Sequence, residues 1–159
     1  MDQNKDRAEI VLRDRFDNNR PWTGNFGLGN GRLDWNVQLS PLVAADLRLE
    51  NGASGMDVDL RYLNVKSATL NTGAGSATVT VPQEGQSSIA IKAGAASVDV
   101  TVPEGVAARI TVKNGIGTVS VDQNRFQKMG NYYQSPNYNT ASNRAEITIE
   151  SGVGSVIVH

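Results

Sequence analysis

Side chains able to carry out acid–base or metal chemistry are scarce in this chain. His159 is the only histidine and there is no cysteine, so a Ser-His-Asp triad and a histidine- or cysteine-based metal site both lack their central group. Asp57, Asp59 and Asp99 are candidates for a carboxylate pair of the kind that hydrolyses glycosides, but nothing in the sequence singles one out as a general acid. The sequence therefore predicts a protein that is not an enzyme and that uses no cofactor and no metal ion.

The glycine-rich stretch Gly27-Leu28-Gly29-Asn30-Gly31 does not change this prediction. A phosphate-binding loop needs a lysine after its last glycine and a helix that follows, and both features are missing.

The side chains best suited to contact a partner lie together between about residues 122 and 142. This segment holds three of the four tyrosines, together with several asparagines and glutamines, a composition typical of contact surfaces for carbohydrate, peptide or protein. The candidate binding residues are Phe126, Tyr132, Tyr133, Asn137 and Tyr138. In an alternative interpretation, some of these rings fold back and cover a flank of the core. Both interpretations hold if one ring packs inward and another stays exposed.

A glycine-centred phrase recurs along the chain and dictates how any such surface is positioned. Its lead glycines are 23, 21, 21, 21 and 37 residues apart, which indicates one structural unit stacked about six times. The last step equals one unit plus about 16 residues, so it marks an insertion. We expect a tight turn at each lead glycine, with positive φ and no room for a Cβ atom. These glycines are Gly29, Gly52, Gly73, Gly94, Gly115 and Gly152.

Apolar residues alternate with polar or small ones on both sides of each lead glycine, which is typical of half-buried strands. The sequence predicts an all-β fold with almost no helix. We expect a single-stranded parallel β-solenoid of about six 21-residue coils, with the insertion at about 122–142. The solenoid domain would span 23–159, after a charged segment at 1–22 that is partly disordered or adds one strand. One predicted inward column contains Leu49, Leu70, Ile91, Val112 and Ile149, and a second contains Val58, Val79, Val100, Val121 and Val158.

Charge and hydropathy limit the classes of partner. A net charge of −1 provides no basic field for nucleic acid, and no run of about 18 apolar residues is present. We expect this chain to be soluble and to reach a membrane only through a tether that lies elsewhere.

The final strand, ending at Val158-His159, has no evident cap. This predicts weak self-association, as a homo-oligomer through a solenoid end, or docking of another segment there.

Three stretches resemble a known family. They are Gly105-Val106-Ala107-Ala108-Arg109-Ile110-Thr111-Val112 with Gly115-Ile116-Gly117, then Tyr133-Gln134-Ser135-Pro136-Asn137-Tyr138, and Gly152-Val153-Gly154-Ser155-Val156. The chain resembles the C-terminal domain of LiaF-like cell-wall-active antibiotics response proteins and the related bacterial toast-rack domains. The resemblance begins at about Trp22 and is most specific over the insertion and the strand after it.

The resemblance implies a β-solenoid attached to membrane-spanning segments, with no catalytic residues. It implies a non-enzymatic interaction or regulatory module of the bacterial cell envelope, membrane-associated in the full-length protein. Such a module would act in the envelope-stress response through contacts with a membrane or signalling protein. The alternative, from a different class, is a surface adhesin or carbohydrate-binding module that uses the Tyr/Asn-rich insertion.

Overall fold

The computed structural model describes residues 37–159. The predictions for the 1–22 segment and for the repeat around Gly29 lie outside the described residues. Residues 37–159 are all-β and contain no helix, so none of them forms a membrane-spanning helix. The strands are β1 (Ala45–Asp59), β2 (Val65–Thr80), β3 (Gln86–Thr101), β4 (Ala107–Val121), β5 (Gln127–Met129), β6 (Tyr132–Gln134) and β7 (Arg144–Val158).

The seven strands form one sheet in the order β1-β2-β3-β7-β4-β6-β5. The five long strands pair in parallel, whereas β4–β6 and β5–β6 pair antiparallel. The parallel register advances by one repeat from β1 to β3, so that Leu49 lies opposite Leu70 and Leu70 lies opposite Ile91. The predicted parallel all-β stacking is therefore present across these strands.

The long strands do not follow sequence order throughout the sheet, because β7 lies between β3 and β4. Ile149 pairs with Ile91 on one side and with Val112 on the other. The inward side chains of β7 are aliphatic except for Ser151, and Ile147, Ile149 and Val156 are fully buried. The second half of β4 carries Thr118, Val119 and Ser120, all exposed, and so tolerates the outer position better.

The same topology corrects the prediction of an uncovered final strand. The backbone N–H of His159 donates to the Val100 carbonyl at 3.1 Å, and the His159 carbonyl accepts from the Val102 N–H at 2.8 Å. Because β7 has a neighbour on each side, it does not form a free end of the sheet.

The lead glycines are required by close approach between strands and not by positive φ. The positive φ values lie two residues later, at Gly75 (121°), Gly117 (143°) and Gly154 (145°). A Cβ atom on Gly94 would instead lie 2.5 Å from the Gly73 carbonyl oxygen, which is closer than real Cβ contacts come. At Gly73, Gly94, Gly115 and Gly152, neighbouring strands thus approach too closely for any side chain on the lead residue.

Candidate functional site

The segment that links β4 to β7, residues 122–143, lies against the first half of β4. Its strands β5 and β6 form a hairpin with the two-residue loop Gly130-Asn131, and Gly130 has φ of 66°. Strand β6 then pairs with β4 at Arg109 and Ile110. We call this segment the β4–β7 connection.

Four hydrogen bonds hold the β4–β7 connection in place. The Ala108 N–H donates to the Ser135 hydroxyl at 2.9 Å, and the Ser135 N–H donates to the Ala108 carbonyl at 2.9 Å. The Arg125 guanidinium donates to the carbonyls of Val102 at 2.7 Å and Pro103 at 3.1 Å. These bonds pin the connection to β4 and to the loop before it.

The five candidate binding residues divide between the core and the surface. Phe126 is completely buried in the main core cluster, and Tyr138 is 8% exposed. Tyr132 is half-buried, Tyr133 packs partly against the core, and Asn137 is exposed. The fold-back interpretation therefore describes Phe126 and Tyr138, while Tyr132, Tyr133 and Asn137 remain accessible from solvent.

Arg109 brings two of the tyrosines together. Its guanidinium carbon lies 4.5 Å from the centre of the Tyr138 ring and 5.7 Å from that of Tyr132, both within cation–π range. Its Nε donates to the Gln134 side-chain oxygen at 2.8 Å. Burial raises the pKa of the Tyr138 phenol, and the nearby carboxylate of Glu146 adds to the increase. This phenol therefore stays protonated at neutral pH and keeps a hydrogen to donate.

A pocket of about 470 Å³ opens beside Arg109, between the β4–β7 connection and the outer face of the sheet. Its walls carry three cationic side chains, Lys66, Arg109 and Arg144, and one carboxylate, Glu146. We call this the basic pocket.

A larger groove of about 1120 Å³ follows the lead glycines across the long strands. Charged side chains at the rim of this groove neutralise one another. The Glu150 carboxylate lies 3.1 Å from the Lys113 ammonium and 3.9 Å from the Lys92 ammonium. The hydroxyls of Thr72 and Ser151 are buried and unpaired, but these residues alternate in phase with the inward Leu70 and Ile149. Both residues nevertheless line the groove, together with Asn71 and Asn114, whose side-chain oxygens are also buried without a hydrogen-bond partner in residues 37–159.

Carboxylates of the described strands do not converge. Within residues 37–159, no group of three or more His, Cys, Asp or Glu side chains is placed to hold a metal ion. Asp59 pairs with Arg61 at 2.6 Å, and these hydrogen bonds lower the pKa of its carboxyl. The arrangement around Arg109 offers hydrogen bonds and positive charge, which are suited to binding.

The N-terminal domain of toast_rack, DUF2154, matches residues 2–101. The chain belongs to the toast-rack family. The expected toast-rack resemblance is thereby confirmed. The matched residues end before the 122–142 segment, which was expected to be the most family-specific part of the chain.

This toast-rack chain also resembles a solved structure, that of a candidate cell adhesion protein from Clostridium sporogenes. The TM-score is 0.75 with 26% sequence identity, over 86% of this chain and 65% of the other. The toast-rack chain thus spans slightly less than two thirds of the length of that protein. No curated protein matches it.

Sequence reasoning missed the three cations of the basic pocket in the toast-rack chain. Arg109 and Arg144 each precede a buried residue, Ile110 and Ala145, so the strand alternation places them on the outer face. The outward position of both arginines could therefore be predicted from the sequence. The contacts of Arg109 with Gln134 and Tyr138 could not be predicted, because only the folded chain brings these residues together.

Proposed function

We propose that this toast-rack protein is a non-enzymatic binding module of the bacterial cell envelope. It contacts its partner through the outer surface of the β4–β7 connection. The observation that carries the proposal is the division of this segment into a buried side and an accessible one. Phe126 anchors it in the core, whereas Met129 is 47% exposed and Tyr132 is half-buried beside Arg109. Aromatic, methionine and arginine side chains are the types enriched in protein interfaces.

The finer form of the proposal is a regulatory role in the envelope-stress response, through contacts with a membrane or signalling protein. It is supported by the resemblance to LiaF-like response proteins, whose solenoid is attached to membrane-spanning segments. In this form the full-length protein is membrane-associated, and the solenoid has six coils of about 21 residues with 122–142 inserted before the last.

A second candidate function is adhesion, or binding of surface carbohydrate. It is favoured by the structural similarity to the Clostridium sporogenes protein, which is described in terms of cell adhesion. The two functions differ in partner class, a protein in the first and a cell-wall polymer in the second.

Point substitutions test the surface better than removal of the segment, because a deletion would also remove the buried Phe126. We suggest Met129→Ser combined with Tyr132→Ser, with Tyr62→Ser as the matched control. Tyr62 is 68% exposed and lies in the turn between β1 and β2, outside the β4–β7 connection. Photo-crosslinking in membranes and retention on purified cell walls would be measured for each protein.

The double variant should lose at least about tenfold in one of these assays, because interface residues of this type each contribute upward of 1 kcal/mol. The Tyr62→Ser control should bind normally. Loss of crosslinking would favour the regulatory role, and loss of wall retention would favour adhesion. Unchanged binding of the folded double variant in both assays would contradict the proposal.

A further inference from the structure

We propose that the basic pocket binds an anionic group, a carboxylate or a phosphate, carried by a saccharide chain, with Arg109 and Arg144 as its main contacts. This inference rests on the proposed function as an envelope-binding module and identifies the chemistry of the ligand. It begins from an arrangement fixed by the backbone. The parallel register places Arg144 beside Gln86, and Glu146 between Ser88 and Arg109.

The cations come from strands that are distant in sequence. Lys66 is on β2, Arg144 on β7 and Arg109 on β4. The Lys66 ammonium lies 4.0 Å from the position that a Cβ atom on Gly85 would take, next to the start of β3. The three charges therefore converge across four adjacent strands, on a protein whose net charge is −1.

Neutral groups hold the two arginines in position. Arg144 donates to the Gln86 side-chain oxygen at 3.0 Å and to the Ala141 carbonyl at 3.3 Å. Arg109 donates to the side-chain oxygens of Gln134 at 2.8 Å and Asn139 at 3.5 Å. Amides orient a guanidinium without neutralising it, so among the pocket residues only the Glu146 carboxylate opposes the three cations.

Four other exposed cations among the described residues have carboxylate partners. Arg48 pairs with Glu50 and Arg61 with Asp59, each at 2.6 Å, and Lys92 and Lys113 share Glu150. In residues 37–159, neither Arg109 nor Arg144 has a carboxylate within ion-pair distance, although Glu146 is on the strand next to Arg109. Within residues 37–159, the pocket therefore holds three of the five Lys and Arg side chains that lack a carboxylate partner, the other two being Arg125 and Lys128.

The remaining donors suit an anion with two or more oxygens. Each guanidinium carries five N–H groups in a planar fork, and the contacts above use only part of them. Such forks bind carboxylate and phosphate in a bidentate manner, which gives both energy and orientation. Tyr138 packs against one face of Arg109 and restricts its movement, so less conformational freedom is lost on binding.

A saccharide fits the rest of the lining better than an acidic peptide does. The pocket offers small polar groups, Ser88 and Asn139, together with the Glu146 carboxylate, which can accept hydrogen bonds from ring hydroxyls. A peptide side chain bearing a carboxylate would bring no hydroxyls to donate to Glu146. The volume of about 470 Å³ lies within the usual range for small-molecule sites.

The test is calorimetric titration of the full chain with four probes. They are a galacturonic acid trimer, galactose 6-phosphate, a neutral galactose trimer and a glutamate hexapeptide. Each is repeated with Arg144→Gln and with Arg144→Lys, which keeps the charge and loses the fork. Arg48→Gln, which removes a cation outside the pocket, serves as the matched control. Thermal melting checks that every variant is folded.

We expect one or both anionic sugars to bind and the neutral trimer to bind at least about tenfold more weakly. Arg144→Gln should weaken the anionic sugar about tenfold or more, Arg144→Lys should restore only part of the loss, and Arg48→Gln should change nothing. The tighter of the two anionic sugars shows whether the natural group is a carboxylate or a phosphate.

The inference is overturned if neither anionic sugar binds, if the neutral trimer binds equally well, if folded Arg144→Gln binds normally, or if the glutamate peptide binds more tightly. Its failure is distinct from failure of the proposed function. If the sugars do not bind but the Met129/Tyr132 double variant still loses envelope contact, the binding surface stands and only its ligand chemistry is wrong.

Discussion

Single residues in this protein are constrained mainly by the close approach of neighbouring strands. The backbone of each long strand follows its neighbour so closely at the lead glycine that a Cβ atom has no space. Gly52 is different, because nothing among the described residues lies within 4 Å of its Cβ position. Among the described residues, the same residue type in the same repeat position thus differs in how closely its neighbours approach.

This difference gives a matched pair of substitutions. Gly94→Ala places a Cβ atom 2.5 Å from the Gly73 carbonyl oxygen, so strands β2 and β3 must separate. We expect a loss of about 1–3 kcal/mol in the free energy of unfolding, the usual cost of overpacking. Gly52→Ala should cost much less. Chemical denaturation measures both, and equal losses would show that close approach is not the reason for the lead glycine.

The residue scale also shows which features the sequence could predict. The buried valines Val79 and Val100 follow from local alternation, which needs no knowledge of neighbouring strands. The location of positive φ did not follow, because Gly73 and Gly75 are both glycine and their sequence contexts are alike. The role of Arg109 depends on Gln134 and Tyr138, and their proximity arises only when the connection folds back.

At the scale of elements, the β4–β7 connection is part of the core as well as a surface. Phe126 fills the core from outside the regular strands and is fully buried. The guanidinium carbon of the adjacent Arg125 lies 4.9 Å from the centre of the Phe126 ring. The Arg125 guanidinium also donates to two carbonyls in the loop between β3 and β4. The element is therefore held rigidly, which suits a binding surface because little order has to be gained on contact.

Phe126→Ala tests this double role. Removing a buried phenylalanine ring should lower the free energy of unfolding by about 3–5 kcal/mol. Met129→Ala, in the same connection but 47% exposed, should have little effect. Denaturant unfolding of both variants provides the comparison. A small effect of Phe126→Ala would mean that the connection packs loosely and that its surface is not preformed.

Strands β3, β7 and β4 are also linked by charge at the glycine turn. The Lys113 hydrogen bond, with the charges of Lys113 and Lys92, lowers the pKa of Glu150 below its usual value of 4.5. A lowered folded-state pKa adds stability that is present above the unfolded value and is lost as pH falls through the folded one. The stabilisation therefore operates at neutral pH and disappears in acid.

Glu150→Gln should accordingly lower the melting temperature slightly at pH 7 and have no effect at about pH 3. The control is Glu84→Gln, which removes an exposed carboxylate with no ion-pair partner in residues 37–159. Melting curves from pH 7 to pH 3 measure the difference. A Glu150→Gln effect that grows toward acid pH would contradict the sign of the linkage.

For the molecule as a whole, the sequence repeat fixes parallel stacking but not the order of the last two long strands. Val112 and Ile149 occupy equivalent repeat positions and are both aliphatic, so either could follow Ile91. The β4–β7 connection folds against β4 and returns the chain between β3 and β4. The β4–β7 connection thus contributes to the topology as well as to the candidate surface.

The central claim is that the partner binds to the outer surface of the β4–β7 connection. Hydrogen–deuterium exchange tests this claim most directly. Exchange of the protein would be followed with and without solubilised envelope fractions that contain the partner identified by photo-crosslinking or wall retention. We predict slower exchange at 127–139 and at the paired residues Arg109 and Ile110, with no change along the glycine groove. Protection confined to the groove or to the β1 edge, with 127–139 unaffected, would contradict the account.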